Sequence, residues 1–110
     1  MNQQVLFAKL LELSPSEKRG QTDEFLEAVF LNTSLSKLNK VLEEFLGEAL
    51  KPADAPANSQ ARDAAKPYGG IYVNQTLYRK ELQDRTAIAM LWPWGNNTHT
   101  TLKIILEKNK

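Results

Sequence analysis

His99 is the single histidine of the chain, so a histidine-rich metal site is excluded. The absence of cysteine removes disulfides, thiolate nucleophiles and cysteine-ligated metals together. His99 stands between Thr98 and Thr100 on what reads as the polar face of a strand, shared with Thr101 and, far beyond direct contact, Glu107. A general base needs a nucleophile or carboxylate within hydrogen-bond reach, and nothing local supplies one. The carboxylates do not converge either. Asp23, Glu24 and Glu27 gather where a helix start is expected, and Glu43, Glu44 and Glu48 fall on the wet side of an expected helix. A hard cation needs oxygen ligands from several elements. Gly69-Gly70 precedes an expected strand, whereas phosphate-cradling glycines sit between a strand and a helix start. No catalytic residue, metal ligand or cofactor is therefore expected.

Binding chemistry is better represented. Trp92-Pro93-Trp94-Gly95-Asn96-Asn97 is the most distinctive stretch. Pro93 cannot donate a ladder hydrogen bond, which points to an edge, a bulge or the rim of a sheet. Two tryptophans beside it either close the end of a core or line an interface, where aromatic anchors dominate the energy. Trp92, Trp94, Tyr72, Tyr78 and His99 are the candidate binding residues. Arg79, Lys80, Arg85 and Lys103 are the nearest approach to a nucleic-acid surface, with Tyr72 and Tyr78 available to stack on bases; Glu81, Asp84 and Glu107 interrupt it.

These residues need a scaffold, and 110 residues with 42% hydrophobic and 25% charged side chains can build one modest core. A single α+β domain is expected over residues 1–110: a helical part over 1–50, a Pro/Ala-rich linker over 51–67 and a β part over 68–110. Val5, Leu6, Phe7, Leu10, Leu11 and Leu13 recur at helical spacing, predicting a helix over 2–13 that Pro15 ends. Thr22 reads as the cap of a second helix over 22–31, with Phe25, Leu26, Val29 and Phe30 as its buried stripe. Leu35, Leu38, Val41, Leu42, Phe45, Leu46 and Ala49 predict a third over 35–50. Residues 51–67 lack large apolar side chains and read as a loop or mobile linker contributing little to a core, with a short helix available over 59–66.

From Gly69 the pattern becomes that of strands. Thr86, Ile88, Met90, Trp92 and Trp94 alternate on one strand, and Thr98, Thr100, Leu102, Ile104 and Leu106 on the next. A three-residue loop with Asn97 left-handed would pair Trp94 with Thr98, Trp92 with Thr100, Met90 with Leu102 and Ile88 with Ile104. A two-residue loop would set Trp94 against His99 and mismatch the heavy faces, so the three-residue register is favoured. A strand is expected from Ile71-Tyr72-Val73 toward Leu82, pairing Tyr78 with Met90 and Leu82 with Thr86, with a helical turn over 77–82 as the weaker alternative. The expected fold is three N-terminal helices packed on one heavy face of a C-terminal three-stranded antiparallel meander.

Net charge is +1, divided unevenly: five Lys/Arg against eight Asp/Glu in residues 1–50, and nine against five thereafter. The first apolar stretch is broken by Lys9 and Glu12 without a basic cluster before it, unlike a secretory leader, so a cytoplasmic location is expected. The functional expectation is a small non-enzymatic protein-binding or regulatory module. Its partner is a protein or a second copy, met through the Trp92-Trp94 rim or through the 98–107 strand as an unprotected sheet edge. Lys108, Asn109 and Lys110 would keep the C-terminal end of that strand solvated. Nucleic-acid binding through Arg79, Lys80, Arg85 and Lys103 is the alternative, and a small enzyme or ligand-binding domain with a pocket near Trp92 and His99 is a third. A membrane is not an expected partner.

Overall fold

The computed structural model describes residues 2–108, so Asn109 and Lys110 lie outside the described residues. In chain order the elements are α1 (Gln3–Leu11), β1 (Glu17–Gln21), β2 (Phe25–Leu31), α2 (Leu35–Leu46), α3 (Ser59–Ala65), β3 (Thr76–Glu81), β4 (Arg85–Pro93) and β5 (His99–Lys108). The fold is α+β, but the expected three-stranded meander is wrong: the strands form one five-stranded antiparallel sheet in the order β1-β2-β5-β4-β3.

The helix expected over 22–31 is the hairpin partner of β1. Phe25, Leu26, Val29 and Phe30 satisfy helical spacing, yet along β2 they divide between two faces. Leu26, Ala28 and Phe30 point to the core under the helices, while Phe25 and Val29 point the other way. A strand apolar on both sides reads as a continuous apolar run, which periodicity alone does not separate from a helix. Thr22 does not start a helix. Its hydroxyl accepts from the Glu24 N–H and its own N–H donates to the Phe25 carbonyl, closing the hairpin turn.

β5 is not an edge. It pairs with β2 from Phe25↔Ile105 to Leu31↔His99 and with β4 along its other side. The β4–β5 register is also the disfavoured one: Trp92 faces Thr101, Met90 faces Lys103, Ala89 faces Ile104, and the Trp94 N–H donates to the His99 carbonyl. Asn97 is left-handed, at φ 62°, as the turn requires. A one-residue slip moves every side chain to the opposite face. The face under the helices is thus Ala87, Ala89 and Leu91 with Leu102, Ile104 and Leu106, while Ile88, Met90 and Trp92 lie on the reverse.

The small β4 residues let α1 and α2 approach the sheet, where Leu6, Phe7, Leu10, Leu38, Leu42 and Leu46 fill the core. β3 begins at Thr76, so Ile71-Tyr72-Val73 is a loop, and Tyr78 pairs with Ala89 rather than Met90. Residues 51–67 contribute more packing than their composition suggests. α3 lays Ala61 and Ala65 into buried positions, and Ala65 joins Leu77, Ile88 and Met90 in a second core on the reverse face. The Tyr68 hydroxyl then hydrogen-bonds the Glu107 carboxylate, clasping this segment to β5. Burial first, and Glu107 second, hold that phenol well above its ordinary pKa.

Lys51 is the anchor of the long connection. Its backbone pairs with Leu77 in both directions, and its side chain is only 1% exposed. The ammonium donates to the carbonyls of Pro52 (3.0 Å), Val73 (2.8 Å) and Gln75 (2.5 Å), using all three protons. Burial lowers its pKa from the ordinary lysine value, and the charge of Asp54 opposes that shift. Among the described residues no helix is long and apolar enough to cross a membrane.

Candidate functional site: an open sheet face

α3 and the turn after it cover the β3–β4 side of the reverse face and reach β5 where Tyr68 meets Glu107. The β1–β2–β5 side carries no helix, and four ladder rows cross it: Phe25 beside Ile105, Glu27 beside Lys103, Val29 beside Thr101 and Trp92, and Leu31 beside His99. An antiparallel sheet often turns one polar face to water, but three of these rows are apolar or aromatic. Leu31 is 48% exposed and Trp94 36%.

The aromatic side chains roof part of the face themselves. The Trp94 ring stacks on His99 with centroids 4.8 Å apart, and its indole N–H donates to the Thr101 hydroxyl at 2.9 Å. That accounts for the burial of Val29 and Thr101 beneath no helix. Lys103 places its ammonium 4.6 Å from the Trp92 ring centroid, and the Arg19 guanidinium lies 5.7 Å from that of Trp94. Between these cations sits Glu27, 3.8 Å from each, while Arg19 also binds Glu17 at 2.5 Å. Arg19 reaches this position because the β1–β2 register shifts between Lys18 and Gly20. The face therefore holds a string of alternating charge, Glu17–Arg19–Glu27–Lys103, inside an apolar surround. The Trp92 indole N–H is buried without a hydrogen-bond partner among the described residues, a defect costing about 1–3 kcal/mol.

Of the candidate binding residues, Trp92, Trp94 and His99 come together here. Tyr72 stands apart in the loop before β3, 70% exposed, and Tyr78 is buried on the opposite face with its hydroxyl donating to Asn39 Oδ1 at 2.6 Å. Burial, then the charge of Glu43, raises the Tyr78 pKa to about 12. The candidate nucleic-acid residues are divided between faces and engaged. Arg79 meets Glu81 at 3.1 Å, Arg85 meets Glu24 at 3.0 Å, Lys103 meets Glu27, and Lys80 lies 3.5 Å from the Phe45 carbonyl. His99 Nδ1 is 2.7 Å from the Thr98 hydroxyl, which has the reach of a base and a hydroxyl. No carboxylate orients the other ring nitrogen among the described residues, and the other side of the ring is stacked on Trp94. Sequence reasoning missed Arg19, Phe25, Glu27, Leu31 and Thr101. For Phe25, Glu27 and Leu31 the signal, alternation along β2, was masked by the helical spacing of the apolar residues on that strand; β1, which carries Arg19, is polar and offers no apolar alternation, and Thr101 was placed on the face of His99 without being singled out.

Neither a protein-family model, nor a curated protein, nor a solved structure matches this chain.

Proposed function

We propose that this chain is a small non-enzymatic protein-binding module that self-associates, two copies meeting through the open β1–β2–β5 face. The observation that carries this reading is a solvent-facing row of Leu31, His99 and Trp94 on a sheet sector that no other element covers. The charge string favours a second copy as the partner. Its signs alternate, so a two-fold rotation can bring each cation against a carboxylate of the other copy, the self-complementarity an isologous contact needs. Sheets also pack face to face, interleaving rows of this kind.

The outer edges favour this face over edge pairing. β1 is short, charged and bulged, and the Lys51 backbone occupies the β3 edge at Leu77. The seven-residue β2 spans roughly 23 Å, and neighbouring strands lie about 4.8 Å apart. The floor is therefore a few hundred Å², below the roughly 800 Å² per partner of a standard interface, and the association is weak. The lack of cysteine fits a reducing compartment, the cytoplasm.

Sedimentation equilibrium from micromolar to near-millimolar protein tests the reading. The expected result is a mass that rises above 12.4 kDa with concentration in the wild type and remains at 12.4 kDa in Leu31→Glu. A wild-type mass of 12.4 kDa throughout refutes self-association.

A further inference from the structure

We propose that the cleft between α2 and the start of β3, on the helix side of the sheet, binds an organic ammonium ion: a primary amine carried on a short apolar chain. The cleft has a volume of about 590 Å³. Its polar lining is arranged to accept hydrogen bonds. Thr76 is only 8% exposed, yet its hydroxyl lines the cleft with no hydrogen-bond partner among the described residues. Unlike the Trp92 indole N–H, this hydroxyl is not sealed from solvent, so a group entering the cleft can reach it. The Tyr78 proton is committed to Asn39, so the phenol oxygen offers the cleft only its lone pairs.

The electrostatics have the same sense. Glu43 and Glu48 line the cleft, and neither forms an ion pair among the described residues. The C-terminal end of α2 adds its partial negative charge, and its last turn carries no basic residue of its own. Lys51 and Lys80 are engaged elsewhere: Lys51 with its three carbonyls, and Lys80 at the Phe45 carbonyl.

Ala49, Pro52 and Ala53 complete the lining with apolar surface suited to a methylene chain. No group of three or more metal-binding side chains occurs among the described residues. A hard cation also demands six or more closely placed oxygens, and this cleft is far roomier than such a shell. An ammonium group brings three N–H donors and one positive charge to acceptors and carboxylates, and its chain lies along the alanines and proline.

The test is a titration of the full-length, ¹⁵N-labelled chain with n-butylammonium, followed by amide chemical shifts. Tetramethylammonium, which has the charge but no N–H, and n-butanol, which has the chain but no charge, serve as controls. Saturable shifts confined to Ser36, Asn39, Glu48, Ala49, Thr76 and Tyr78 are expected, strongest for butylammonium. Affinity should fall about tenfold in the double variant Glu43→Gln, Glu48→Gln. It should fall several-fold in Thr76→Val, which keeps the shape and removes the hydroxyl. A free diamine and a blocked lysine amide, compared in parallel, identify whether the amine comes from a metabolite or a protein side chain. Absence of saturable shifts overturns the proposal. So does an equal response to tetramethylammonium, or an affinity unchanged in the double glutamine variant, whose two sites are exposed and outside the core.

Discussion

Replacing Lys51 by methionine removes the ammonium while keeping most of the side-chain volume, so the change isolates the polar anchor from cavity formation. Three charge-assisted hydrogen bonds are lost, each worth about 1.5–3 kcal/mol in net terms. Against that loss, the variant no longer desolvates a charge, a cost of several kcal/mol in a protein interior. The carbonyls of Pro52, Val73 and Gln75 must then find water, and one that stays dry costs a further 1–3 kcal/mol, roughly. The balance is a destabilisation of about 2–4 kcal/mol. It should be local in origin, because the backbone pairing of Lys51 with Leu77 does not depend on the side chain. Chemical denaturation gives the magnitude, and hydrogen exchange gives the location. The amides of Asp54, bonded to the Val73 carbonyl, and Gln75, bonded to the Tyr72 carbonyl, should exchange faster while those of β4 and β5 change only with global stability. An unchanged denaturation midpoint with unchanged exchange at Asp54 and Gln75 would refute the assignment of Lys51 as the anchor.

The core on the helix side makes a simpler forecast. Leu42→Ala should destabilise by about 2–5 kcal/mol through lost burial and a residual cavity. Glu44→Ala, at an exposed site with one loose ion pair to Lys9, should change stability by less than about 0.5 kcal/mol in the same denaturation assay. Alkali should weaken the fold through Tyr78, which holds its proton to about pH 12 when folded and ionises near pH 10 when unfolded. Its contribution is complete below the unfolded value and is lost as pH rises through the folded one, at most about 3 kcal/mol. Stability measured across this window should decline, and decline less in Tyr78→Phe; Tyr68, also raised, acts in the same direction, and Lys51, lowered by burial, in the opposite one.

What was legible in the residues follows the strength of their patterns. α1 and α2 carry a single apolar stripe each, and the structure places both where spacing predicts them, with α2 ending at Leu46 because Gly47 turns left-handed. β4 and β5 alternate clearly, so their existence was readable, but their register was not. Matching heavy faces is a sound rule when only one side is covered. Here α1 and α2 cover one side and α3 part of the other, so both faces of β4 are apolar and the rule selects the wrong partner. The same two-sided burial hid β2 inside a helical spacing, and with it Glu27 and Leu31 at the candidate site. The trio Trp92, Trp94 and His99 was recognisable by type. Their convergence depended on the rejected register, which alone sets Trp94 against His99.

Isotope-filtered NOE spectroscopy on an equal mixture of ¹³C-labelled and unlabelled chains at near-millimolar concentration shows whether two copies meet through the open sheet face. Contacts between chains are expected from the side chains of Leu31, Trp94, Phe25 and Ile105, all lost in Leu31→Glu. Contacts between chains arising instead from the outer edge of β1 or from the exposed side of α2, with none at Leu31 and Trp94, would contradict it.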